Sequence, residues 1–111
     1  MRSSQPSVLV VDDEPDLREL IADSLSGDGF DVTQAADGGD ANAKLKTFAF
    51  DAIVVDLRLP DMDGMEVLDA ALTRYPEVVS VVMTGFGGVT EAVAAIKRGA
   101  IDFLIKPFQV T

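Results

Sequence analysis

The stretch Ser7–Asp12, SVLVVD, is an apolar run rich in β-branched residues that ends in an acid, and Ala52–Asp56, AIVVD, repeats this pattern. Short runs of this kind are typical of strands that are buried on both faces of a parallel sheet. Three further runs are predicted to be strands: a more polar one at 31–35, an apolar one at 78–83 and a short one at 102–105. The sequence therefore predicts five strands.

Helical patterns separate the predicted strands. Apolar residues recur with the helical period over 14–25, and glycines follow the end of this segment. A second helix is predicted over 39–47, with Phe48 extending its inward face, and a third over 65–75. A fourth helical pattern is ended by Gly99. Each pair of successive strands is thus joined by one helix.

This alternation predicts the architecture of the whole chain. Strands joined by helices form a parallel sheet with right-handed crossovers, and the common five-stranded order is 2-1-3-4-5. The polar strand 31–35 suits the edge that this order gives it. We therefore predict an α/β, doubly wound, flavodoxin-like domain over 7–111, preceded by a tail at 1–6. Only three residues follow Phe108, so the fifth helix is expected to be truncated or absent.

The composition excludes several kinds of site. The 111 residues include no Cys, His or Trp, so a disulfide, a thiolate–zinc site and a Ser-His-Asp triad are excluded. The 19 acidic and 9 basic side chains give a net charge of −10, which argues against direct contact with nucleic acid or an anionic membrane surface. No apolar run is long enough to span a membrane, and nothing resembles a signal peptide, so a cytoplasmic protein is expected.

Charged and hydroxyl side chains follow the predicted strands. In an open α/β sheet, ligands bind beyond the carboxyl ends of the strands, where the strand order reverses. The residues at these ends are Asp12, Asp13, Glu14, Asp56, Thr84 and Lys106. Clustered carboxylates repel one another and need a counter-ion, and a site with oxygen ligands only favours Mg²⁺. A carboxylate can also attack phosphorus to give an aspartyl phosphate, although the spacing alone does not assign that role to one acid.

Four motifs in order give the chain a resemblance to a known family. They are Val10–Glu14 (VVDDE), Asp56–Pro60 (DLRLP) with Asp63-Gly64, Met83–Gly85 (MTG) and Asp102–Phe108 (DFLIKPF). The sequence from Ser7 to Phe108 resembles the response-regulator receiver domains of two-component signalling. Each motif is weak alone, but all four at this spacing are highly specific.

The resemblance implies a magnesium site and a phosphoryl acceptor. Asp56 takes the position of the phosphoacceptor. Asp13 and Asp56 take the positions of direct Mg²⁺ ligands, together with the backbone carbonyl of Arg58. Asp12 takes the position of a residue that helps to hold the metal through water.

The resemblance also implies a conformational switch. Thr84 and Lys106 take the positions of residues that hold the phosphoryl oxygens. Phe103 takes the position of an aromatic switch residue that follows Thr84, and the Lys106–Pro107 peptide bond is expected to be cis.

The partners are implied in the same way. A sensor histidine kinase is expected to donate the phosphoryl group, because this chain has no His of its own. The stretch from Thr84 to Leu104 is similar to receivers of nitrogen-regulation-type and FixJ-like transcriptional regulators. An output domain of the parent protein, outside this chain, is therefore the expected downstream partner, and the output is expected to be transcriptional. A second copy of the chain is a further candidate partner. No enzymatic turnover is expected beyond phosphotransfer and slow autodephosphorylation.

Other interpretations of these residues stay open from the sequence. Phe103 also suits a core position in a short apolar strand, and Thr84 also suits a strand as a β-branched residue. A phosphatase of the haloacid dehalogenase type would use a similar Asp, but Arg58 stands where its second Asp belongs, and the chain has no room for a cap domain. An interaction module that is never phosphorylated is the third alternative.

Overall fold

A computed structural model describes residues 5–85 and 88–107, and within them strands and helices alternate throughout. The strands are β1 (Ser7–Val11), β2 (Asp31–Ala35), β3 (Ala52–Asp56), β4 (Val79–Thr84) and β5 (Asp102–Ile105). The helices are α1 (Pro15–Gly27), α2 (Gly38–Thr47), α3 (Gly64–Arg74) and α4 (Val89–Arg98). The predicted bounds are confirmed to within one or two residues.

The five strands form one parallel sheet in the order β2-β1-β3-β4-β5, which confirms the predicted α/β, doubly wound topology. Strand β1 lies between β2 and β3, so that Val10 pairs with Gln34 on one side and with Val54 on the other. Strand β3 continues this register to β4, where Asp56 pairs with Met83. The polar strand β2 lies at the edge, as predicted.

Each face of the sheet carries its own hydrophobic cluster. The larger cluster combines alternate residues of β1 and β3, such as Leu9 and Ile53, with Leu68 of α3. The smaller cluster contains Val8, Val10, Ile21 and Met83, and therefore packs α1 against the opposite face. Alternate strand residues pack against different helices, as central parallel strands require.

Two aromatic side chains lie at the border of the core. Phe103 is half-buried and packs against the larger cluster, so its core interpretation and its switch interpretation are compatible. The expectation that Phe48 faces inward is wrong, since 54% of its surface is exposed. Phe48 follows the last residue of α2 with extended backbone angles (φ −125°, ψ 148°), so the helical period no longer sets its direction.

Several predictions fall outside the described residues. Most of the 1–6 tail, Phe108 at the end of the last motif, and the truncated or absent fifth helix all lie outside 5–85 and 88–107. Within the described ranges, no helix is both long enough and apolar enough to cross a membrane.

Candidate functional site

The residues singled out at the strand ends meet at one edge of the sheet. Asp12 directly follows β1, Asp56 ends β3 and Thr84 ends β4. The backbone N–H of Lys106 donates to the carbonyl of Thr84 over 2.7 Å, which continues the sheet pairing one residue past β5. The backbone N–H of Asp12 similarly donates to the carbonyl of Ala35 over 3.1 Å. The ladder of the sheet therefore fixes where each side chain starts.

Lys106 lies at the centre of the acidic residues. Its Nζ is 2.8 Å from Oδ2 of Asp12 and 2.8 Å from Oδ2 of Asp56. Asp12 and Asp56 are buried, and the Lys106 side chain is only 13% exposed. Nζ also lies 3.3 Å from Oε1 of the exposed Glu14. Such an arrangement satisfies buried charges that would otherwise be very unfavourable.

Burial and ion pairing together determine the pKa values of Asp56 and Lys106. Burial raises the pKa of Asp56, and the hydrogen bonds from Lys106 and the backbone N–H of Arg58 only partly oppose that shift. Burial alone would lower the pKa of Lys106, but its hydrogen bonds to Asp12 and Asp56 outweigh burial and raise it. The ammonium is therefore held in its charged form beside carboxylates whose mutual repulsion it reduces.

A metal ion has suitable ligands next to this ion pair. One carboxylate oxygen from each of Asp12, Asp13 and Asp56 can be chosen so that all three lie within 4.8 Å of one another. Asp13 is exposed, whereas the other two are buried, so the group is open to solvent on one side. Carboxylate oxygens are the ligands that hard divalent cations prefer. These residues therefore fit the predicted metal site.

The segment after β3 holds Asp56 in place. Oδ1 of Asp56 accepts a hydrogen bond of 2.9 Å from the backbone N–H of Arg58. The guanidinium of Arg58 turns away from this carboxylate and forms an ion pair of 2.9 Å with Glu91 on the first turn of α4. The Arg58 backbone thus donates a hydrogen bond to Asp56, while the Arg58 side chain connects the segment to α4.

The far end of the same segment is attached to another helix. The Asp61 carboxylate accepts hydrogen bonds of 2.9 Å and 2.8 Å from the backbone N–H groups of Gly38 and Gly39, at the start of α2. These hydrogen bonds lower the pKa of Asp61. They also satisfy two N–H groups that have no partner within the helix itself.

Gly64 brings α3 close to the phosphoacceptor candidate. A β-carbon at position 64 would lie 2.1 Å from the backbone carbonyl oxygen of Asp56 and 2.6 Å from the Cα of Leu57. The backbone N–H of Gly64 donates to the carbonyl of Leu57 over 2.9 Å. Glycine is needed here because no side chain fits between the two backbones.

The remaining predicted residues lie around this centre. Thr84 is fully buried, and its hydroxyl has no hydrogen-bond partner among the residues that the structure describes. Phe103 lies two residues upstream of the strand end, against the larger hydrophobic cluster. The Lys106–Pro107 peptide bond is cis, the isomer that the resemblance implies.

Sequence reasoning missed some contacts of the site. Arg18 donates a hydrogen bond of 2.8 Å to the backbone carbonyl of Asp12 and one of 3.0 Å to the side chain of Gln34. The sequence feature that could have indicated a role for Arg18 is that it is the only basic residue of α1. Nothing in the sequence pointed to the contact of Asp61 with α2, because it joins segments more than twenty residues apart.

Comparison with known proteins gives one family. The family model described as "Response regulator receiver domain" matches residues 8–111. The nitrogen assimilation regulatory protein NtrX of Azorhizobium caulinodans is 42% identical over 103 residues, which are 91% of this chain and 23% of NtrX. The C4-dicarboxylate transport transcriptional regulatory protein DctD of Rhizobium meliloti is 37% identical over 106 residues, which are 96% of this chain and 23% of DctD.

Solved structures of receiver domains superpose closely on this chain. The crystal structure of the receiver domain of NtrX from Brucella abortus superposes with a TM-score of 0.86 at 39% identity, covering 92% of this chain and 87% of that one. A CheY-like receiver domain protein from Methanospirillum hungatei superposes with a TM-score of 0.89 at 29% identity, covering 96% and 85%. The chain thus spans less than a quarter of the length of either of these two curated regulators, NtrX and DctD.

Proposed function

The chain belongs to the response regulator receiver domain family, and from this premise we propose that it is a switch controlled by phosphorylation of Asp56. The observation that supports this proposal most is the position of Lys106. Its ammonium lies 2.8 Å from carboxylate oxygens of both Asp12 and Asp56, beside a group of acids that fits a metal ion. A cation beside a buried carboxylate suits a residue that accepts a negatively charged group.

The reaction that we propose is a phosphoryl transfer to a carboxylate. A carboxylate oxygen of Asp56 attacks the phosphorus of the donor and forms a new P–O bond. The bond from phosphorus to the leaving group breaks, and the leaving group keeps its electron pair. With a phosphohistidine of a sensor kinase the leaving group is an imidazole nitrogen, and with acetyl phosphate it is acetate.

A metal ion completes the proposed site. Carboxylates of Asp12, Asp13 and Asp56, with the backbone carbonyl of Arg58, would hold it, and we propose Mg²⁺ because all these ligands are oxygens. When bound, Mg²⁺ would neutralise negative charge on the phosphoryl oxygens. Lys106 supplies a fixed positive charge to the same oxygens, close to the reacting carboxylate.

Thr84 and Phe103 are the proposed switch. The Thr84 hydroxyl is buried without a hydrogen-bond partner among the described residues, so a phosphoryl oxygen would offer it an acceptor that it lacks. Phe103, half-buried on the neighbouring strand β5, would follow the change at Thr84. A ligand shifts such an equilibrium only through interactions that one state makes better, and this new hydrogen bond is one.

The partners follow from the same proposal. A sensor histidine kinase would supply the phosphoryl group, and an output domain of the parent protein, with a transcriptional role, would read the switch. A second copy of the chain is a candidate partner, supported by large apolar side chains exposed on α4 and β5: Val89, Val93, Ile96, Leu104 and Ile105. We propose no enzymatic turnover beyond phosphotransfer and slow loss of the phosphoryl group.

Incubation with acetyl phosphate and MgCl₂, followed by intact-mass and peptide mass spectrometry, tests this proposal. We expect one added phosphoryl group, located on Asp56, and none in the Asp56→Asn variant. Asp31→Asn is the matched control, because it removes the same charge at the opposite end of the sheet. A folded wild-type protein that gains no phosphoryl group would exclude the proposed function. Steady hydrolysis of an aryl phosphate at enzyme-like rates would instead indicate a phosphatase.

A further inference from the structure

The hydroxyl of Thr84 occupies a space that the backbone of α4 leaves open. Gly88 caps the N-terminus of α4 and is itself buried. A β-carbon at position 88 would lie 1.8 Å from Oγ1 of Thr84 and 2.9 Å from its Cβ. Any residue with a side chain at position 88 would therefore have to displace the Thr84 hydroxyl and also shift the adjoining backbone, because the Thr84 Cβ and the Gly85 carbonyl oxygen, at 3.1 Å, are close as well.

The backbone conformation of Gly88 gives no other reason for a glycine. Its φ of −86° and ψ of 21° are accessible to any L-residue. The turn into α4 is closed by the backbone N–H of Gly88, which donates to the carbonyl of Gly85 over 3.0 Å, and other residues can make this bond too. What glycine supplies at position 88 is the space beside Thr84.

We propose that Gly88 provides the resting position of the Thr84 hydroxyl, and so acts as a positioning residue for the switch. This inference rests on the proposed function. Threonine has three staggered χ1 positions, and the one in the structure places Oγ1 against Gly88, without an acceptor among the described residues. Leaving this position for a phosphoryl oxygen gives the hydroxyl a hydrogen bond. Gly88 thus determines how readily the Thr84 hydroxyl leaves its resting position.

A single methyl group at position 88 tests the proposal. In Gly88→Ala the resting position is filled, so the hydroxyl must rotate away before any ligand binds, and a small shift of the backbone relieves the remaining contact with the Thr84 Cβ. Gly85→Ala is the matched control in the same segment, because a β-carbon there would have no heavy atom of the described residues within 4 Å, its chain neighbours aside. We expect Gly88→Ala to lower the beryllofluoride concentration for half-saturation, in the presence of MgCl₂, by about threefold or more, since the cost of leaving the resting state is removed. The control should stay within about twofold of wild type.

The outcomes separate this inference from the proposed function. Half-saturation that is unchanged or raised in Gly88→Ala relative to Gly85→Ala overturns the role of Gly88, provided that wild type binds beryllofluoride. Failure of wild type to bind beryllofluoride or to accept a phosphoryl group would instead remove the proposed function itself. A gain that persists when Thr84→Ala is added to Gly88→Ala also overturns the inference, because the effect must act through the hydroxyl.

A second measurement needs no variant and covers the case in which Gly88→Ala does not fold. Three-bond NMR couplings of wild-type protein report the χ1 angle of Thr84 directly. We expect a single χ1 position in the free protein and a different one with beryllofluoride and MgCl₂. An unchanged χ1 angle in a protein that demonstrably binds beryllofluoride would overturn the proposal.

Discussion

At the scale of single residues, the positive charge of Lys106 allows three carboxylates to lie close together at one edge of the sheet. Asp12 and Asp56 are almost fully buried, and two buried carboxylates without a cation beside them would be very unfavourable. The ammonium of Lys106 contacts both at 2.8 Å, while Asp13 stays exposed. One positive charge thus offsets only part of the negative charge of the three carboxylates, and a divalent cation can use the remainder.

Gly64 is the residue whose replacement we expect to be most disruptive near Asp56. Gly64→Ala would place a methyl group 2.1 Å from the Asp56 carbonyl oxygen, so the backbone of β3 or α3 must move. Overpacking of this kind costs about 1–3 kcal/mol of unfolding free energy, measurable by urea denaturation. Acceptance of a phosphoryl group from acetyl phosphate should fall as well, because the displaced backbone positions Asp56.

The control for this change is another glycine at a helix end. A β-carbon at Gly27, the last residue of α1, would meet no other segment within 4 Å in the part of the chain that the structure describes. Gly27→Ala should therefore be neutral or stabilising by up to about 1 kcal/mol, from helix propensity. Equal stability of the two variants would show that the close approach at Gly64 can relax at little cost.

At the scale of elements, the strands and their order were predictable because buried parallel strands leave a strong pattern. The runs SVLVVD and AIVVD are apolar on both faces, and their terminal acids mark the edge where ligands bind. The direction of Phe48 was not predictable, since the helical period was extended past the end of α2. The contacts of Asp61 and Gly88 were not predictable either, because they depend on distances between segments rather than on local pattern.

Asp61 connects the segment after Asp56 to α2, and this connection predicts a pH-dependent stability. Hydrogen bonds from Gly38 and Gly39 lower the pKa of Asp61 below its ordinary value of 3.8. A carboxyl group with a lowered native-state pKa stabilises the folded protein above its unfolded-state pKa, and this contribution is lost as the pH falls through the native value. We expect Asp61→Asn to lower the unfolding free energy at pH 7 and to approach wild type at the acidic end of the range.

Urea denaturation of wild type and variant at a series of pH values measures this difference. Glu77→Gln is the control, since it also removes one exposed carboxylate, from the segment between α3 and β4. The control should show a small difference from wild type across the range. A deficit in Asp61→Asn that is the same at pH 7 and at the acidic end would mean that the carboxylate charge is not what holds α2.

At the scale of the whole molecule, the fold brings residues that lie far apart in the sequence close together in space. Asp12, Asp56 and Lys106 stand at the ends of the first, third and fifth strands, yet the sheet order brings the carboxylates of Asp12 and Asp56 to 2.8 Å from the ammonium of Lys106. The site therefore exists only when the sheet is complete through β5. Any ligand that binds this site should accordingly stabilise the folded state of the entire domain.

Magnesium should therefore raise the global stability of the protein. A ligand that binds only the folded state adds about 2.7 kcal/mol to the unfolding free energy at a concentration one hundred times its Kd. The urea midpoint should rise with MgCl₂ concentration in wild type and rise much less in Asp13→Asn, which loses an exposed carboxylate of the proposed metal site. Asp31→Asn changes the net charge equally but lies at the other end of the sheet, so it should respond like wild type. Equal responses of all three proteins would mean that Mg²⁺ acts on the overall charge of −10 and not at the strand ends.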